Sequence, residues 1–388
     1  MTFEVMVANK AAATAVKLAR VKVCSAFPVT PQTTITEYLA DMFANGEIEG
    51  ELVNAEGELS TQVIVQAAER AGARSFVCTS GPGQLYMHHP MHSTASSRLP
   101  VVMCTVHRGN KSMQPDHTDL MSQEHTGWIQ LYAENNQEVL DTVLMAYKIG
   151  EDNRVRLPVA VGYDGYVLSY TAEPVEIPSQ ELVDSWLPPY KTPSILPKDY
   201  NESSGGRGGF SGGRRDVQQG WIDQHEAILG SEKVIKEVHA DFAKVFGRSY
   251  GNGMVDEYKT EGVDAVMVAM GSMAGTARAA IDRLQANGKK IGLIKLKGYM
   301  PFPSDDFRDI ASRVSAIGMI DRNILMGHGG CGFRMIQNAL YNEEVRTPVL
   351  QFHAGLSGKE VRISDLERVG DKILKRAHGE SVSLVEWV

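Results

Sequence analysis

The stretch Phe27-Pro28-Val29-Thr30-Pro31 separates two runs of different character near the start of the chain. The preceding run, Val21–Phe27, is largely apolar and predicts a short buried strand, whereas Gln32–Ala44 has apolar residues at helical spacing. Thr30 is therefore expected where a strand ends and a helix begins. A hydroxyl group and free backbone N–H groups at a helix N-terminus suit a small anion. The alternative is that Thr30 is only the N-cap of the helix, with Pro31 in the first helical position.

The composition is that of an ordinary globular protein. Of 388 residues, 43% are hydrophobic and 22% are charged, and the length suffices for two or three domains. The formal net charge of −8 argues against general nucleic-acid binding and against an anionic membrane surface. No apolar run approaches the ~20 residues of a membrane span, and the first residues lack the apolar core of a signal peptide. We therefore expect a cytoplasmic protein whose partners are neither nucleic acid nor membrane.

The four cysteines (Cys24, Cys78, Cys104 and Cys331) form no Cys-x-x-Cys pair. Three of them lie in or beside strand-like apolar runs, where cysteine usually behaves as a small buried hydrophobe. This favours free thiols, and it argues against an iron–sulfur cluster held by this chain, because a cluster needs four closely spaced thiolates. The run Asp116-His117-Thr118-Asp119 has no further His/Asp pair at ligand spacing, so we expect no metal ligands.

Strand-like and helical runs alternate through about residue 175. The predicted strands are Val21–Phe27, Ser75–Thr79, Val101–Val106 and Val159–Gly162, and the predicted helices are Gln32–Ala44, Ser60–Ala71, Gly83–Arg98 and Asn136–Ile149. This alternation predicts an α/β fold with a parallel sheet covered on both faces. Ligands of such sheets bind in the loops at the carboxyl ends of the strands.

The alternation breaks over residues 173–225, which we expect to be a connector. Prolines recur from Pro174 to Pro197, and residues 203–215 are rich in glycine and arginine. Such a segment is typical of a flexible linker, or it is a basic arm that orders against a partner or a phosphate-bearing ligand. A second α/β unit follows, with a helix over Glu226–Phe246 and Ala277–Asn287 and strands over Ala265–Met270, Ile291–Lys297 and Val314–Ile320. We expect one domain over 1–252, including the connector, and a smaller one over 253–388.

Candidate functional residues lie in three loops. Glu58 lies at the start of a predicted helix, where it is either a buried acid for proton transfer or a carboxylate that complements the helix dipole. The stretch Thr79-Ser80-Gly81-Pro82-Gly83 predicts a tight loop whose backbone can approach a ligand, and it lacks the lysine of a P-loop. Arg108 follows the strand Val101–Val106, where it could grip a carboxylate with two hydrogen bonds or form a surface salt bridge.

One motif is absent from the sequence. Enzymes that use thiamine diphosphate hold the diphosphate through Mg²⁺ with a Gly-Asp-Gly motif and a following asparagine, whereas this chain has Tyr163-Asp164-Gly165-Tyr166. The chain therefore has no means of its own to hold the diphosphate end of that cofactor.

Taken in order, these motifs resemble the α subunit of 2-oxoacid:ferredoxin oxidoreductases, the pyruvate:ferredoxin oxidoreductase family. The family's Y-P-I-T-P loop is similar to residues 27–31, and its E-S-E-H-S is similar to Glu56-Gly57-Glu58-Leu59-Ser60. The stretches Asp116–Asp119, Thr126–Glu138 and Val268–Thr276 resemble the multi-subunit branch of the family. The likeness covers nearly the whole chain. It implies a pyrimidine-type thiamine-diphosphate domain followed by a transketolase C-terminal-like α/β domain.

The resemblance also implies roles for individual residues. Glu58 would hydrogen-bond N1′ of the thiamine aminopyrimidine and so serve the catalytic proton transfers, while Thr30 and Arg108 would bind the carboxylate of the oxoacid. The cofactor-binding residues would further include Pro28 and the loop that borders the pyrimidine ring (Ser80, Gly81, Pro82 and Gly83).

The implied enzyme works only as a complex. A β subunit would hold the diphosphate through Mg²⁺ and carry a [4Fe-4S] cluster, and γ and δ subunits or fused domains would carry further clusters and help to bind coenzyme A. The reaction is the oxidative decarboxylation of a 2-oxoacid with coenzyme A to acyl-CoA and CO₂, with the electrons passed to ferredoxin. We expect the isolated chain to be inactive.

Three departures from the family pattern bear on the substrate. Phe27 replaces the tyrosine, Met300 stands where the family has the arginine of R-P-F-P, and residues 109–115 differ from the pyruvate-type sequences. Pyruvate is the expected substrate, with phenylglyoxylate or a branched-chain oxoacid as the alternative. Oxalate is disfavoured because Thr30 supplies no second cation. Two other classes stay open, a noncatalytic scaffolding subunit and a transketolase-type thiamine enzyme without an iron–sulfur partner.

Overall fold

The computed structural model describes residues 2–191, 217–344 and 346–388. Its strands are β1 (Thr2–Met6), β2 (Val23–Ala26), β3 (Glu51–Asn54), β4 (Ser75–Thr79), β5 (Val102–His107), β6 (Ile129–Tyr132), β7 (Val159–Asp164), β8 (Glu173–Ile177), β9 (Val255–Tyr258), β10 (Ala265–Ala269), β11 (Ile291–Leu296), β12 (Gly298–Met300), β13 (Ala316–Asp321), β14 (Val349–His353) and β15 (Val385–Trp387). Its α-helices are α1 (Ala8–Leu18), α2 (Thr33–Ala44), α3 (Glu58–Arg70), α4 (Gly81–Tyr86), α5 (His88–Ser96), α6 (Thr118–Met121), α7 (Asn136–Glu151), α8 (Gln180–Trp186), α9 (Val217–Phe246), α10 (Met273–Ala286), α11 (Ser304–Arg313), α12 (Cys331–Leu340) and α13 (Ile363–Ala377). Short 3₁₀ turns lie at Glu124–Thr126 and Leu356–Gly358.

The first sheet has seven strands in the order β12-β6-β7-β5-β4-β2-β3. The pairs from β6 through β3 are parallel, whereas the edge strand β12 runs antiparallel to β6. The central strands β4, β5 and β7 are buried along their whole length, as expected for a parallel sheet covered on both faces. The predicted parallel α/β sheet is therefore confirmed, and the carboxyl ends of β4 and β5 lie side by side.

The second sheet has six strands in the order β15-β14-β13-β10-β11-β9. Its strands are parallel except for β9, which pairs antiparallel with β11 at the edge. A separate antiparallel pair is formed by β1 and β8. The predicted second α/β unit is confirmed, while its division from the first at residue 252 stays a prediction.

A buried ion cluster joins the two sheets. Lys295 and Lys297, at the end of β11, each place Nζ 2.7 Å from a carboxylate oxygen of Glu138 on α7. Lys297 Nζ also donates to the hydroxyl of Thr142 at 2.8 Å. Burial alone would raise the pKa of Glu138, but the two ammonium groups outweigh it and lower that pKa to about 2. Strand β12, which follows directly, adds a backbone connection between the two parts.

Several predicted boundaries are wrong in informative ways. Helix α2 begins at Thr33 with Gln32 as its N-cap, so the alternative that Thr30 caps this helix is wrong. The predicted helix over 83–98 is two helices that meet at Met87. The supposed connector contains β8 and α8, because β8 finds a partner in β1, and α9 begins at Val217 rather than Glu226. The glycine- and arginine-rich residues 203–215 lie outside the described residues.

Two other expectations can be compared with the structure. All four cysteines are free thiols, and Cys24, Cys78 and Cys104 are buried. Among the described residues, no helix is long and apolar enough to cross a membrane.

Candidate active site

Glu58 is the first residue of α3, and its side chain is buried against the loop that follows β4. A Cβ atom placed on Gly83 would lie 2.4 Å from Glu58 Oε1 and 2.6 Å from Thr79 Oγ1, so only glycine fits between them. Within the described ranges, the Glu58 carboxylate has no side-chain or backbone hydrogen-bond donor and no ion pair. The Glu58 side chain is largely buried and no protein group among the described residues occupies its carboxylate, which makes Glu58 a candidate for binding a ligand that donates a hydrogen bond.

Two further polar groups in the same loop are unpartnered. The hydroxyl oxygens of Thr79 and Ser80 are buried, and neither has a hydrogen-bond partner in the part of the chain that the structure describes. Ser80 has extended backbone geometry and α4 begins at the next residue, Gly81. Ser80 therefore does not cap α4 with its side chain, and Thr79 Oγ1 lies on the same side of Gly83 as the Glu58 carboxylate.

Arg108 and Thr30 come together at the ends of two strands. Arg108 directly follows β5, and its Nη1 donates to the carbonyl oxygen of Thr30 at 3.1 Å. Its Nε is buried and has no partner among the described residues. The Arg108 side chain also contacts the loop after β4, because a Cβ on Gly81 would lie 3.3 Å from Arg108 Cγ and Cδ. The loop therefore contacts both candidate residues: Gly81 lies against Arg108, and Gly83 lies against Glu58.

The Thr30 loop is held by a residue that the sequence analysis missed. Asn9, fully buried on α1, donates from Nδ2 to Pro31 O at 2.9 Å and to Thr34 Oγ1 at 2.7 Å. Tyr163 Oη in turn donates to Asn9 Oδ1 at 2.7 Å. The available signal was a single amide side chain within the small apolar residues that begin α1. Pro28, predicted to bind the cofactor, lies exposed at the outer side of this loop.

The segment 109–115 is braced by the second part of the chain. A Cβ on Gly358 would lie 2.3 Å from Gln114 Cβ, so the 3₁₀ turn after β14 packs directly on this segment. Met113 is half exposed, and its Sδ lies 3.9 Å from Tyr166 Oη. The segment that directly follows Arg108 therefore packs against the turn after β14.

The residues Asp116–Asp119 serve hydrogen bonding. Asp116 accepts from the backbone N–H of Thr118 at 3.0 Å, and His117 Nε2 lies 3.0 Å from Asp164. In the described part of the chain, no group of three or more His, Cys, Asp or Glu side chains is arranged to hold a metal ion. Burial alone would raise the pKa of Asp164, but the charges of Arg322 and His117 hold that pKa well below its usual range.

An apolar patch lies beside Glu58. It comprises exposed side chains on α3 and α4 (Leu59, Val63, Leu85 and Tyr86). Tyr86 is 59% exposed and covers Gly57, where a Cβ would lie 3.2 Å from its ring. Exposed apolar side chains that form a patch next to a candidate site are typical of a protein–protein contact, and these four lie on two helices that contact each other. We call these four residues the apolar patch.

The geometry fits one end of thiamine diphosphate. An aminopyrimidine has a ring nitrogen and an exocyclic amine. These can form hydrogen bonds with the Glu58 carboxylate and with the Thr79 and Ser80 hydroxyl groups, which have no partner among the described residues. For the diphosphate end, the described residues contain no group of three or more His, Cys, Asp or Glu side chains arranged to hold a metal ion, and residues 163–166 lack the Gly-Asp-Gly motif.

Two family models match the chain. The model described as pyruvate flavodoxin/ferredoxin oxidoreductase, thiamine diphosphate-binding, matches residues 14–220, and the model described as pyruvate:ferredoxin oxidoreductase core domain II matches residues 263–366. The first of these contains all the predicted site residues.

Curated relatives and a solved structure agree with these matches. Pyruvate synthase subunit PorA of Pyrococcus horikoshii is 39% identical over 99% of this chain and 97% of its own length. Ketoisovalerate oxidoreductase subunit VorA of the same organism is 38% identical over 99% and 97%. The 2-oxoglutarate:ferredoxin oxidoreductase from Magnetococcus marinus, solved with 2-oxoglutarate, coenzyme A and succinyl-CoA bound, has a TM-score of 0.72 at 20% identity. That match covers 96% of this chain and 65% of that chain, and at this identity it shows the fold alone.

Proposed function

This chain belongs to the pyruvate flavodoxin/ferredoxin oxidoreductase family, and we propose that it is the α subunit of a thiamine-diphosphate-dependent 2-oxoacid:ferredoxin oxidoreductase. The proposed reaction joins a 2-oxoacid and coenzyme A to give acyl-CoA and CO₂, with two electrons passed singly to ferredoxin. The observation that supports it most directly is the loop 80–83, which contacts the unpartnered Glu58 at one end and Arg108 at the other.

Glu58 is proposed to hold the pyrimidine end of the cofactor. Thiamine diphosphate, when bound, supplies the carbon nucleophile and the electron sink for decarboxylation. The Glu58 carboxylate accepts a hydrogen bond from the ring nitrogen N1′ and so stabilises the proton at that atom. Its burial strengthens this interaction, because a hydrogen bond to a charged group gains strength where water is excluded. Ser80, Gly81, Pro82 and Gly83 border the ring, with Pro28 on the outer side.

Arg108 and Thr30 are proposed to bind the carboxylate of the oxoacid. The guanidinium is oriented by its hydrogen bond to Thr30 O, which leaves its other N–H donors for a carboxylate. The Thr30 hydroxyl is free among the described residues to add one more donor. Holding the carboxylate at two points directs the keto carbon toward the cofactor, which is how positioning lowers a reaction barrier.

The missing half of the site is proposed to come from a partner. The names of the relatives as subunits imply a multi-subunit complex. A β subunit would hold the diphosphate through Mg²⁺ and carry a [4Fe-4S] cluster, and the apolar patch beside Glu58 is the surface where it would dock. Further γ and δ subunits or fused domains would carry additional clusters to ferredoxin. We also propose a cytoplasmic complex, since coenzyme A, its co-substrate, is a cytoplasmic metabolite.

Pyruvate is proposed as the substrate, and a branched-chain oxoacid or phenylglyoxylate is the alternative. The two relatives described above are named for pyruvate and for ketoisovalerate at nearly equal identity, 39% and 38%. Overall similarity therefore does not decide between pyruvate and ketoisovalerate as the substrate. The segment 109–115 beside Arg108 is the part of the chain that would contact the side chain of the oxoacid.

The test is to co-purify the chain with its partners under anaerobic conditions and to measure viologen reduction with coenzyme A. Pyruvate, 2-oxoisovalerate and phenylglyoxylate are compared, each with and without added thiamine diphosphate. The proposal predicts reduction with one preferred oxoacid, dependent on both the cofactor and coenzyme A, and none from the isolated chain. If an intact cluster-bearing complex fails to reduce viologen with any of the three oxoacids, the proposal is contradicted and a scaffolding role is left.

A further inference from the structure

We propose that Asp119 is a positioning residue that fixes the cofactor-facing loop and the substrate-facing loop to one another. The inference rests on the proposed function. The two loops follow different strands, β4 and β5, and neither is held in place by the strands themselves beyond their last residues, Thr79 and His107. A single carboxylate between them would set both at once.

The carboxylate of Asp119 accepts a backbone hydrogen bond from each loop on the same oxygen. Oδ2 lies 3.1 Å from the backbone nitrogen of Gly81 and 3.0 Å from that of Arg108. Asp119 is fully buried on the short helix α6. Because both donors converge on one atom, a shift of Asp119 moves the residue that borders the cofactor ring and the residue that grips the substrate together.

The second oxygen of the same carboxylate is also fully used. Oδ1 lies 2.7 Å from His107 Nδ1 and accepts from the backbone N–H of Leu120 at 2.8 Å. Since a carboxylate only accepts, Nδ1 carries the proton in this contact. Four donors around a buried carboxylate leave it no alternative orientation, and this is the kind of support that holds a catalytic group within a fraction of an ångström.

The geometry of Gly81 agrees with this role. Its φ of +43° is in the left-handed region, which favours glycine, and this conformation aims its N–H at Asp119. The same residue packs on the Arg108 side chain, where an added Cβ would lie 3.3 Å from Cγ and Cδ. The contact with Asp119 therefore also sets how closely Arg108 approaches the loop.

Asp321 provides a matched comparison within the chain. It is likewise a fully buried aspartate, and its carboxylate accepts from the backbone N–H groups of Gly332 and Phe333 at 2.9 and 3.0 Å. It lies at the end of β13 and stabilises the start of α12, and none of its hydrogen bonds within the described ranges goes to Thr30, Glu58, Arg108 or residues 80–83. If buried aspartates of this kind only stabilise the fold, Asp119→Asn and Asp321→Asn will have the same consequences.

The experiment compares these two variants with the unaltered chain in the assembled complex. Calorimetric titration gives the Kd for thiamine diphosphate, viologen reduction gives KM for the preferred oxoacid, and thermal unfolding gives the stability. For Asp119→Asn we expect Kd and KM to rise together, each by roughly 10-fold or more, since small misplacement of catalytic groups costs up to about 100-fold. For Asp321→Asn we expect a lower unfolding temperature with Kd and KM within about 2-fold, because the site is untouched.

Equal effects of the two substitutions on Kd and KM, or a lower unfolding temperature as the sole effect of Asp119→Asn, would overturn the inference.

If Asp119→Asn does not yield assembled complex, His107→Leu and His107→Asn decide instead. Leucine removes the donor to Asp119, whereas the asparagine amide can replace it. A rise in Kd and KM for leucine with recovery for asparagine supports the inference, and equal values contradict it. If the unaltered complex binds the cofactor but fails to reduce viologen with any oxoacid, the proposed function is contradicted. The Kd values of the variants for thiamine diphosphate still test the role of Asp119 in that case.

Discussion

The guanidinium of Arg108 donates from Nη1 to the carbonyl oxygen of Thr30 at 3.1 Å, which joins residues 78 positions apart. The contact links the carboxyl ends of two strands that are not neighbours in the sheet, β2 and β5, across β4. It uses one of the five N–H donors of the arginine and leaves the buried Nε without a partner in the described ranges. The contact therefore places the Arg108 guanidinium beside the backbone of Thr30, the other residue proposed to bind the carboxylate.

Replacing Arg108 with alanine is expected to act mainly on substrate binding. Loss of a charged hydrogen-bond donor costs about 1.5–3 kcal/mol, so KM for the oxoacid should rise roughly 10- to 100-fold with a smaller change in kcat. Steady-state viologen reduction by the assembled complex measures both. Arg154→Ala is the matched control, because Arg154 is an exposed arginine paired with Asp152 on the surface. A fall in kcat at unchanged KM would argue against carboxylate binding by Arg108.

Replacing Tyr86 with glutamate is expected to prevent assembly. A charge placed in the apolar patch would have to be desolvated on docking, so recovery of the partner subunit with the tagged chain should fall at least roughly 10-fold. Size-exclusion chromatography of the co-expressed subunits measures this recovery. Tyr341→Glu is the control, since Tyr341 is 71% exposed in the second part of the chain. Equal loss of the partner in both variants, or in neither, would show that the apolar patch is not the contact.

The ion cluster between the two sheets predicts a dependence of stability on pH. The pKa of Glu138 is lowered to about 2 from its ordinary value of 4.5, so the folded state prefers the ionised carboxylate. Its contribution is complete above pH 4.5 and is lost as the pH falls toward 2. Glu138→Gln should destabilise the full chain by about 3–5 kcal/mol at neutral pH, because it leaves the buried Lys297 without a carboxylate and Lys295 with Glu134 alone. The deficit relative to the unaltered chain should shrink as the pH falls below 4.5.

Urea unfolding of the unaltered chain and of the Glu138→Gln variant between pH 3 and pH 7 measures the difference in their free energies of unfolding. Asp282→Asn is the control, because Asp282 forms an exposed pair with Lys259 and should change the free energy of unfolding by less than about 1 kcal/mol. A deficit for Glu138→Gln that is constant across this range would mean that the Glu138 carboxylate does not drive the acid sensitivity.

Patterns that depend on local periodicity were predictable from the sequence. Strand β4 was predicted to the residue, because its apolar run ends abruptly at a Ser-Gly-Pro-Gly loop. The helix after β3 was predicted to begin at Ser60, with Glu58 just before it or in its first turn, and α3 begins at Glu58 itself. That the loops at the strand ends form the site stays a prediction, which rests on where parallel α/β sheets place ligands.

Contacts between distant segments were not predictable in this way. The helix of Asn9 has few strongly apolar residues, so its periodicity was weak, and the role of its amide depends on a turn more than 20 residues away. Strand β8 lies in a proline-rich segment and exists because β1 pairs with it. The D-H-T-D run was expected to hold no metal, but nothing in its pattern indicated that His107 and backbone N–H groups would hydrogen-bond to the carboxylate of Asp119. Periodicity and residue type do not specify which partner a polar group will find.

The most direct measurement is oxoacid-dependent viologen reduction by the anaerobic complex carrying Glu58→Gln, compared with Glu56→Gln. Glu56 lies two residues away, is exposed and bonds only to Ser60 among the described residues, whereas Glu58 is buried and unpartnered. The account predicts that Glu58→Gln lowers kcat by at least roughly 100-fold, the usual weight of a positioned acid–base group, while Glu56→Gln stays within about 2-fold. Unchanged activity of the Glu58→Gln complex would contradict the central claim that this chain supplies the pyrimidine half of a shared active site.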